Sequence, residues 1–390
     1  MTIDLDEYYK IIRNCSKCAM CRNMSPWEMQ SKQFKDICPS GTRFLFEAYF
    51  APGKMEIARA LLDNEIQYSD RLEHILFACP LCGGCKAQCE EVNIINPLDV
   101  MQELRKRYVE AKGPIPAHAK FAESIKELHN PYNEPHEKRL DWLPKNIKLK
   151  EDAKIAYFVG CTSSYRREEI AKATANVLNS LGIEFNILHP NEWCCGSPLF
   201  MTGQIDAGKE MMKHNLEMLK EKGIDNLVFS CAGCYKTFKE TYPQYVGELS
   251  FKVYHFTEFL AEYFEKKKIK LKSFPKSITY HDPCHLGRHS KVYEAPREVL
   301  KQIPGIKLVE MERIKENAWC CGAGAGVSSA YKDFAYWTAS QRLKEAESTG
   351  AEILTTSCPF CITNFLEASK TTNISFKIIP LIKLVEEVVK

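Results

Sequence analysis

Cysteine is the residue whose numbers and spacing carry chemistry here, supplying 18 of the 390 residues. Cys15, Cys18 and Cys21 form a CxxCxxC run, Cys38 stands alone before Pro39, and Cys79, Cys82, Cys85 and Cys89 form CxxCxxCxxxC. Three thiolates two residues apart can wrap three corners of one iron–sulfur cubane, and in two-cluster arrangements the fourth ligand comes from the remote cysteine of the other run. On that pattern Cys15, Cys18, Cys21 and Cys89 hold one [4Fe-4S] cubane, and Cys79, Cys82, Cys85 and Cys38 hold the other. There are two departures: the fourth cysteine of the first run is displaced to position 38, and Cys89 precedes Glu90 instead of proline. The displacement leaves local ligation, each run serving itself, as the alternative. Four-cysteine zinc sites are the competing chemistry, and they use two separated CxxC pairs in place of a triplet.

The remaining cysteines lie in two copies of one pattern, offset by 123 to 127 residues. KIAYFVGC ending at Cys161 answers to KSITYHDPC ending at Cys284, and EWCCG at Cys194 and Cys195 answers to AWCCG at Cys320 and Cys321. NLVFSCAGC, with Cys231 and Cys234, matches EILTTSCPFC, with Cys358 and Cys361. Each copy reads C-x(n)-CC-x(n)-CxxC, with intervals of 32 and 35 residues in the first and 35 and 36 in the second.

The elements that must position these thiols follow from the intervening residues. IAYFV, NLVFS, SITYH and EILTT are short β-branched and aromatic runs of buried-strand type, separated by helix-like segments such as EEIAKATANVLNSLG. In open α/β sheets ligands bind beyond the carboxyl ends of strands, and Cys161, Cys231, Cys284 and Cys358 each stand just past such an end. The five thiols of each copy are therefore expected to converge there. Gly196, Gly322, Gly324 and Gly326 follow the CC pairs and would let backbone N–H groups approach cluster sulfurs. GAGAG follows a Cys-Cys pair and not a strand, which argues against a dinucleotide site. Between the first two runs, Met55, Ile57, Ala58, Leu61 and Leu62 recur on one helical side, predicting a mainly helical first domain. Residues 111–152 hold Pro114, Pro116, Pro131, Pro135 and Pro144 among many charges, the composition of a linker. The expected architecture is thus α followed by α/β: a helical ferredoxin-type domain (1–110), the linker, and two pseudo-repeated α/β domains (153–275 and 276–390) with clusters at strand carboxyl ends.

Composition removes other classes. The 53 Lys and Arg against 50 Asp and Glu leave a net charge of +3, so no single-sign field points to nucleic acid or a membrane surface. No run of 18 apolar residues could span a bilayer, and the N-terminal MTIDLDEYYKIIRNC has no apolar stretch of export-signal length. A cytoplasmic location is expected, with membrane contact only through a partner; in that setting the thiols are metal ligands or catalytic groups and not disulfides. Three polar groupings accompany the cysteines. His281, His285 and His289 recur every fourth residue, but Pro283 interrupts any helix there; hydrogen bonding is the ordinary role for such imidazoles, and His281 or His285 beside Cys284 is the candidate proton donor. Arg166 with Arg167 after Cys161, and Arg288 after Cys284, are candidates to clamp anionic substrate groups, against the plainer reading of a solvated helix start. The run KKKIKLK, from Lys266 to Lys272, is a solvated connector.

With these motifs in hand, the chain resembles the heterodisulfide reductase family. The doubled CCG motif is similar to the catalytic subunit of that enzyme, and the preceding cysteine runs resemble its small iron–sulfur subunit, fused in the order of the D-type subunit of the membrane-linked methanogen enzyme. The same fused order is similar to iron–sulfur subunits of glycolate, lactate and glycerol-3-phosphate dehydrogenases. The resemblance implies a noncubane [4Fe-4S] cluster on each five-cysteine set, Cys161, Cys194, Cys195, Cys231 and Cys234, then Cys284, Cys320, Cys321, Cys358 and Cys361. It implies a disulfide substrate such as that of coenzyme M and coenzyme B, and a redox partner, either a membrane cytochrome b subunit or an FAD-containing subunit. A disulfide needs two electrons whereas one cluster moves one at a time, a mismatch that paired clusters resolve. The alternative is an electron-transfer subunit of an FAD-linked 2-hydroxy acid or glycerol-3-phosphate dehydrogenase, with no substrate of its own.

Overall fold

The computed structural model describes residues 5–90 and 96–389; the first four residues of the segment read for export, residues 91–95 and Lys390 lie outside it. The apolar runs of each repeat form strands: β1 (Ile155–Phe158), β2 (Asn186–Ile187), β3 (Asn226–Phe229) and β4 (Lys252–His255), then β5 (Ser277–His281), β6 (Lys307–Leu308), β7 (Ile353–Thr356) and β8 (Lys377–Pro380). They make two four-stranded sheets, ordered β2-β1-β3-β4 and β6-β5-β7-β8, with every pairing parallel. Parallel strands need helical crossovers, and these bury both sheet faces, which is why Tyr157, Phe158, Leu227, Phe229, Ile278 and Leu354 are almost inaccessible. In each sheet the chain leaves the first strand to one side and returns on the other, so the switch in strand order falls between β1 and β3, and again between β5 and β7. A crevice opens at such a point. Cys161 and Cys231 end the two strands at the first switch, Cys284 and Cys358 those at the second.

The two halves pack through a shared core. Ile170, Val177, Phe256 and Leu260 of the first half meet Ile278, Val299, Leu381 and Val385 of the second, and helix Glu168–Ser180 lies against helix Leu381–Val389.

Among the described residues, the part preceding the repeats has helices and no strand beyond one antiparallel bridge, Asn23 with Asp36. Helix Ala51–Leu62 buries Met55 and Ala58, with Ile57, Leu61 and Leu62 packed at the edge of the same cluster. The sixteen or so residues that displace Cys38 form the loop closed by that bridge, and the loop lies on the second half. Glu312 accepts from Ser31 Oγ at 2.7 Å and from its N–H at 2.6 Å, Asn317 Nδ2 donates to Glu28 at 2.5 Å, and Arg313 donates to the Asp36 carbonyl at 2.6 Å.

The proline-rich stretch is packed against both halves. Pro116 opens helix Pro116–Leu128, where its missing N–H costs nothing. His118 of this helix meets Gly326 of the second half, donor and acceptor 3.1 Å apart; a Cβ at that glycine would come within 2.2 Å of the imidazole. Trp142 and Ile147 are buried against Tyr157, Leu178 and Phe185 of the first half. Arg105, on helix Pro97–Lys112, joins all three parts. It is fully buried and donates to the carbonyls of Leu76 and Cys79, to Met201 at 2.9 Å and to Ala325 at 3.0 Å.

Candidate metal centres

In the helical part, Cys15, Cys18, Cys21 and Cys89 line one small cavity, and Cys38, Cys79, Cys82 and Cys85 line another. The long loop brings Cys38 to the second run: Cys38 caps helix Pro39–Phe44, its sulfur accepting from the Gly41 N–H at 3.4 Å. Helix Gly84–Glu90 carries Cys89 back towards the first run. Burial pushes the Cys21 and Cys38 thiols up to about 12, with neighbouring cysteines adding to the effect at Cys21, and pushes Cys85 well above the ordinary thiol range. Thiols in such surroundings stay protonated unless a cation sits among them, and a bound metal deprotonates them outright.

In the first half the five predicted cysteines converge beyond β1 and β3, linked thiol to thiol from Cys161 through Cys194, Cys195 and Cys234 to Cys231. Gly160 takes a positive φ of 75°, and a Cβ there would stand 2.9 Å from Cys234 Sγ, so the turn into Cys161 requires glycine. In the second half Cys284, Cys320, Cys321, Cys361 and Cys358 are linked in the same order, with Cys321 and Cys361 sulfurs 3.2 Å apart. The Gly322 N–H donates to Cys320 Sγ at 3.3 Å. Cys195 is held well below the ordinary thiol range by Cys194 and Cys234, and Cys321 by Cys320, Cys361 and His281. Cys358, at the N-terminus of helix Pro359–Ser369, is likewise held low by Cys231 and Cys361.

That last contact joins the two sets: Cys231 of the first half and Cys358 of the second hydrogen-bond to each other. Both sets open onto one cavity of about 240 Å³, lined from one side by Cys161, Cys195 and Cys231 and from the other by Cys284, Cys321 and Cys358. Its remaining wall includes Phe121, Tyr132, Met201 and Phe360, and among the described residues no Lys, Arg, Asp or Glu lines it.

The predicted polar residues divide. His285 lines the cavity, with its Nε2 lacking a hydrogen-bond partner. His281 does not line it; it is buried behind Cys321, because the last residue of β5 points into the sheet's own helical layer. Arg166 is at the surface, paired with Glu134 at 2.7 Å. Arg288 is buried away from the cavity and donates to the carbonyls of Cys82, at 2.7 Å, and Ala318. Neither arginine is placed to clamp a substrate in the cavity. His289 is turned to the Leu81 carbonyl at 3.0 Å.

Sequence reasoning missed Arg139. It is buried, ion-paired with Glu192, and lies 3.7 Å from Cys161 Sγ. Glu192 in turn accepts from the N–H groups of Val159 and Gly160, each at 2.9 Å, and so fixes the turn before Cys161. Its only signal was an acidic residue just before the first CC pair.

The donor sets suit iron–sulfur clusters. Soft thiolates select zinc, copper(I) or iron–sulfur centres, and a five-thiol set exceeds the four ligands at which structural zinc closes. The comparisons with known proteins agree. The family model described as Cysteine-rich domain matches residues 155–239 and again 278–366. The D subunit of a dihydromethanophenazine:CoB--CoM heterodisulfide reductase, from Methanosarcina acetivorans, is 39% identical over 382 residues, covering 96% of this chain and 93% of that one. The B subunit of a fumarate reductase (CoM/CoB), from Methanothermobacter marburgensis, is 32% identical, over 90% of this chain and 67% of its own length. A probable iron-sulfur-binding oxidoreductase FadF of Bacillus subtilis is 31% identical, over 82% and 47%. No helix among the described residues is long and apolar enough to cross a membrane. The doubled five-cysteine motif and an identity sustained over nearly the whole of both chains make this chain a member of the heterodisulfide reductase family, similar to its D-type subunits.

Proposed function

We propose that this chain is the disulfide-reducing subunit of an iron–sulfur oxidoreductase, acting on a disulfide such as that of coenzyme M and coenzyme B. The observation that carries the reading is the single cavity onto which both five-cysteine sets open, joined at Cys231 and Cys358. Two cubanes would be held by Cys15, Cys18, Cys21 and Cys89 and by Cys38, Cys79, Cys82 and Cys85, in the helical ferredoxin-type domain read as 1–110. Two noncubane clusters would be held by Cys161, Cys194, Cys195, Cys231 and Cys234, and by Cys284, Cys320, Cys321, Cys358 and Cys361, in the domains read as 153–275 and 276–390 beyond the linker. When bound, such clusters supply single electrons, and a matched pair supplies the two that a disulfide requires.

The chain's own groups do the rest. The apolar wall excludes water, and the absence of a lining charge keeps ionised ends of a substrate outside while its sulfurs enter. His285, the imidazole that lines the cavity, is the residue that would hand a proton to a departing sulfur. The electron donor is a membrane cytochrome b subunit or an FAD-containing subunit, and the chain works in the cytoplasm, meeting the membrane through that partner.

The kinship to FadF favours a second reading, a relay for a flavoprotein dehydrogenase with no substrate of its own. Anaerobically purified chain, given a small reductant and the coenzyme M–coenzyme B disulfide, should release both thiols. If it releases none while still passing electrons from a flavoprotein to an acceptor, the relay reading stands.

A further inference from the structure

The two halves repeat one another closely around their strands. The Tyr157 and Ser230 hydroxyls are 2.7 Å apart, and at the matching positions of the second half Tyr280 donates to Ser357 at 3.2 Å. The repeat breaks at the last residue of the first strand of each half. β1 ends in Phe158, β5 in His281.

Both side chains are fully buried, so the difference lies in what the imidazole does. Arg342 Nε donates to His281 Nδ1 at 3.2 Å. Arginine cannot give up its proton, so Nδ1 is the acceptor and the proton of the neutral ring resides on Nε2. The ring is held there by a buried chain, Arg342 on Glu345 at 2.6 Å and Glu345 on Arg313 at 2.8 Å, and by the edge-on ring of Phe365 at 4.8 Å. Nε2 itself has no hydrogen-bond partner, which is costly for a buried donor. The direction it faces is the sulfur pair: a ring nitrogen of His281 and the sulfurs of Cys321 and Cys361 all lie within 4.8 Å of one another. The first half has no donor at Phe158, so nothing there faces Cys195 and Cys234 as His281 faces Cys321 and Cys361; its side-chain donor to sulfur is Arg139, ion-paired with Glu192 and set on Cys161 at 3.7 Å.

We infer that His281 is a positioning residue that donates its Nε2–H to sulfur at the second five-cysteine site, raising that site's reduction potential and making the two sites electronically unequal. A hydrogen bond to sulfur stabilises the more negative, reduced state, and such bonds are an established lever on cluster potentials. The inference rests on clusters being held as proposed above.

The test is a redox titration of the anaerobically purified full chain, followed by paramagnetic resonance, for wild type, His281→Phe and His281→Gln. His281→Phe copies the first half and should lower one potential by about tenfold in the one-electron equilibrium, about 59 mV, leaving the others unmoved. His281→Gln keeps an N–H donor and should recover part of the shift. Unmoved potentials in His281→Phe, or equal shifts in the Phe and Gln variants, would overturn the inference. Should His281→Phe lose iron from that site, Arg342→Gln decides: the imidazole stays but its Nδ1 is released, and a potential equal to that of wild type counts against an oriented donor. The iron and sulfide content of the wild type tests the cluster reading by itself, so a failure there is distinguishable from a failure of the inference.

Discussion

Cys82 and Cys320 share a thiol hydrogen bond across the junction between the helical part and the second half, and that contact pushes the Cys82 thiol down to about 5, with the Arg288 guanidinium reinforcing it. Two proposed ligand sets therefore touch at one point. Electrons arriving through the helical part would pass here, so Cys82→Ala should abolish turnover driven by the physiological donor while a small reductant still reduces the two paired sites. Donor-linked turnover at the wild-type rate would show that entry lies elsewhere.

Because both paired sites face one cavity, they should fail as a unit. Cys195→Ala and Cys321→Ala are each expected to remove nearly all disulfide cleavage, and the double variant to be no worse, the non-additivity of groups that act together. Substantial activity surviving in one single variant would rule out a paired mechanism.

Metal analysis should find about sixteen irons and as many acid-labile sulfides per chain prepared without oxygen, as four four-iron clusters require. Stoichiometric zinc in their place would end the iron–sulfur reading for this chain.

Arg105 supplies a structural prediction. Removing a buried cation that satisfies carbonyls of three chain regions leaves several neutral acceptors unpaired, at about 1–3 kcal/mol for each that finds no other donor. Arg105→Met should lower the denaturation midpoint accordingly, and Arg105→Lys should rescue only part because one ammonium cannot reach every carbonyl. Equal midpoints for wild type and Arg105→Met would show that the peg is dispensable.

Burial pushes His118 down to about 4, with the Gly326 carbonyl opposing in part. A free histidine titrates near 6.5, so between about 6.5 and 4 the unfolded chain binds the extra proton. Stability carried by neutral His118 is complete above that window and is lost as the pH falls through it, by at most about 3 kcal/mol. Thermal melts of His118→Phe should be flatter than those of wild type over this window, and parallel curves would contradict the assignment.

Much of this architecture was readable from residue order. Strand-like runs ending in cysteine, at one offset in two copies, required two parallel sheets with thiols at the same edge, because the parallel crossover leaves that edge free. Two-cluster spacing suggested grouping Cys38 with the second run but left each run serving itself as the alternative; in the structure Cys38 lines one cavity with Cys79, Cys82 and Cys85. What could not be read were the contacts made by residues far apart in sequence. Arg139 sits among unremarkable charges and gains its role only when Cys161 and Glu192 reach it. Arg166 and Arg288 occupy similar offsets from their cysteines, yet one faces solvent and the other is enclosed by the helical part, an asymmetry that the repeat alone hides. His285 lines the cavity, whereas His281, four residues earlier across Pro283, does not and is held by Arg342 instead.

The loop that carries Cys38 bears on the order in which the molecule is completed. Its anchors lie in the last quarter of the chain, Glu28 and Asn317 being 289 positions apart. Domains fold as they emerge during synthesis, N-terminal parts first. Cys38 itself has local anchors in Gly41 and Tyr49, but the loop that leads to it can dock on the second half only after residues 312–317 have been translated and folded, so closure of that junction is a late step in building the chain.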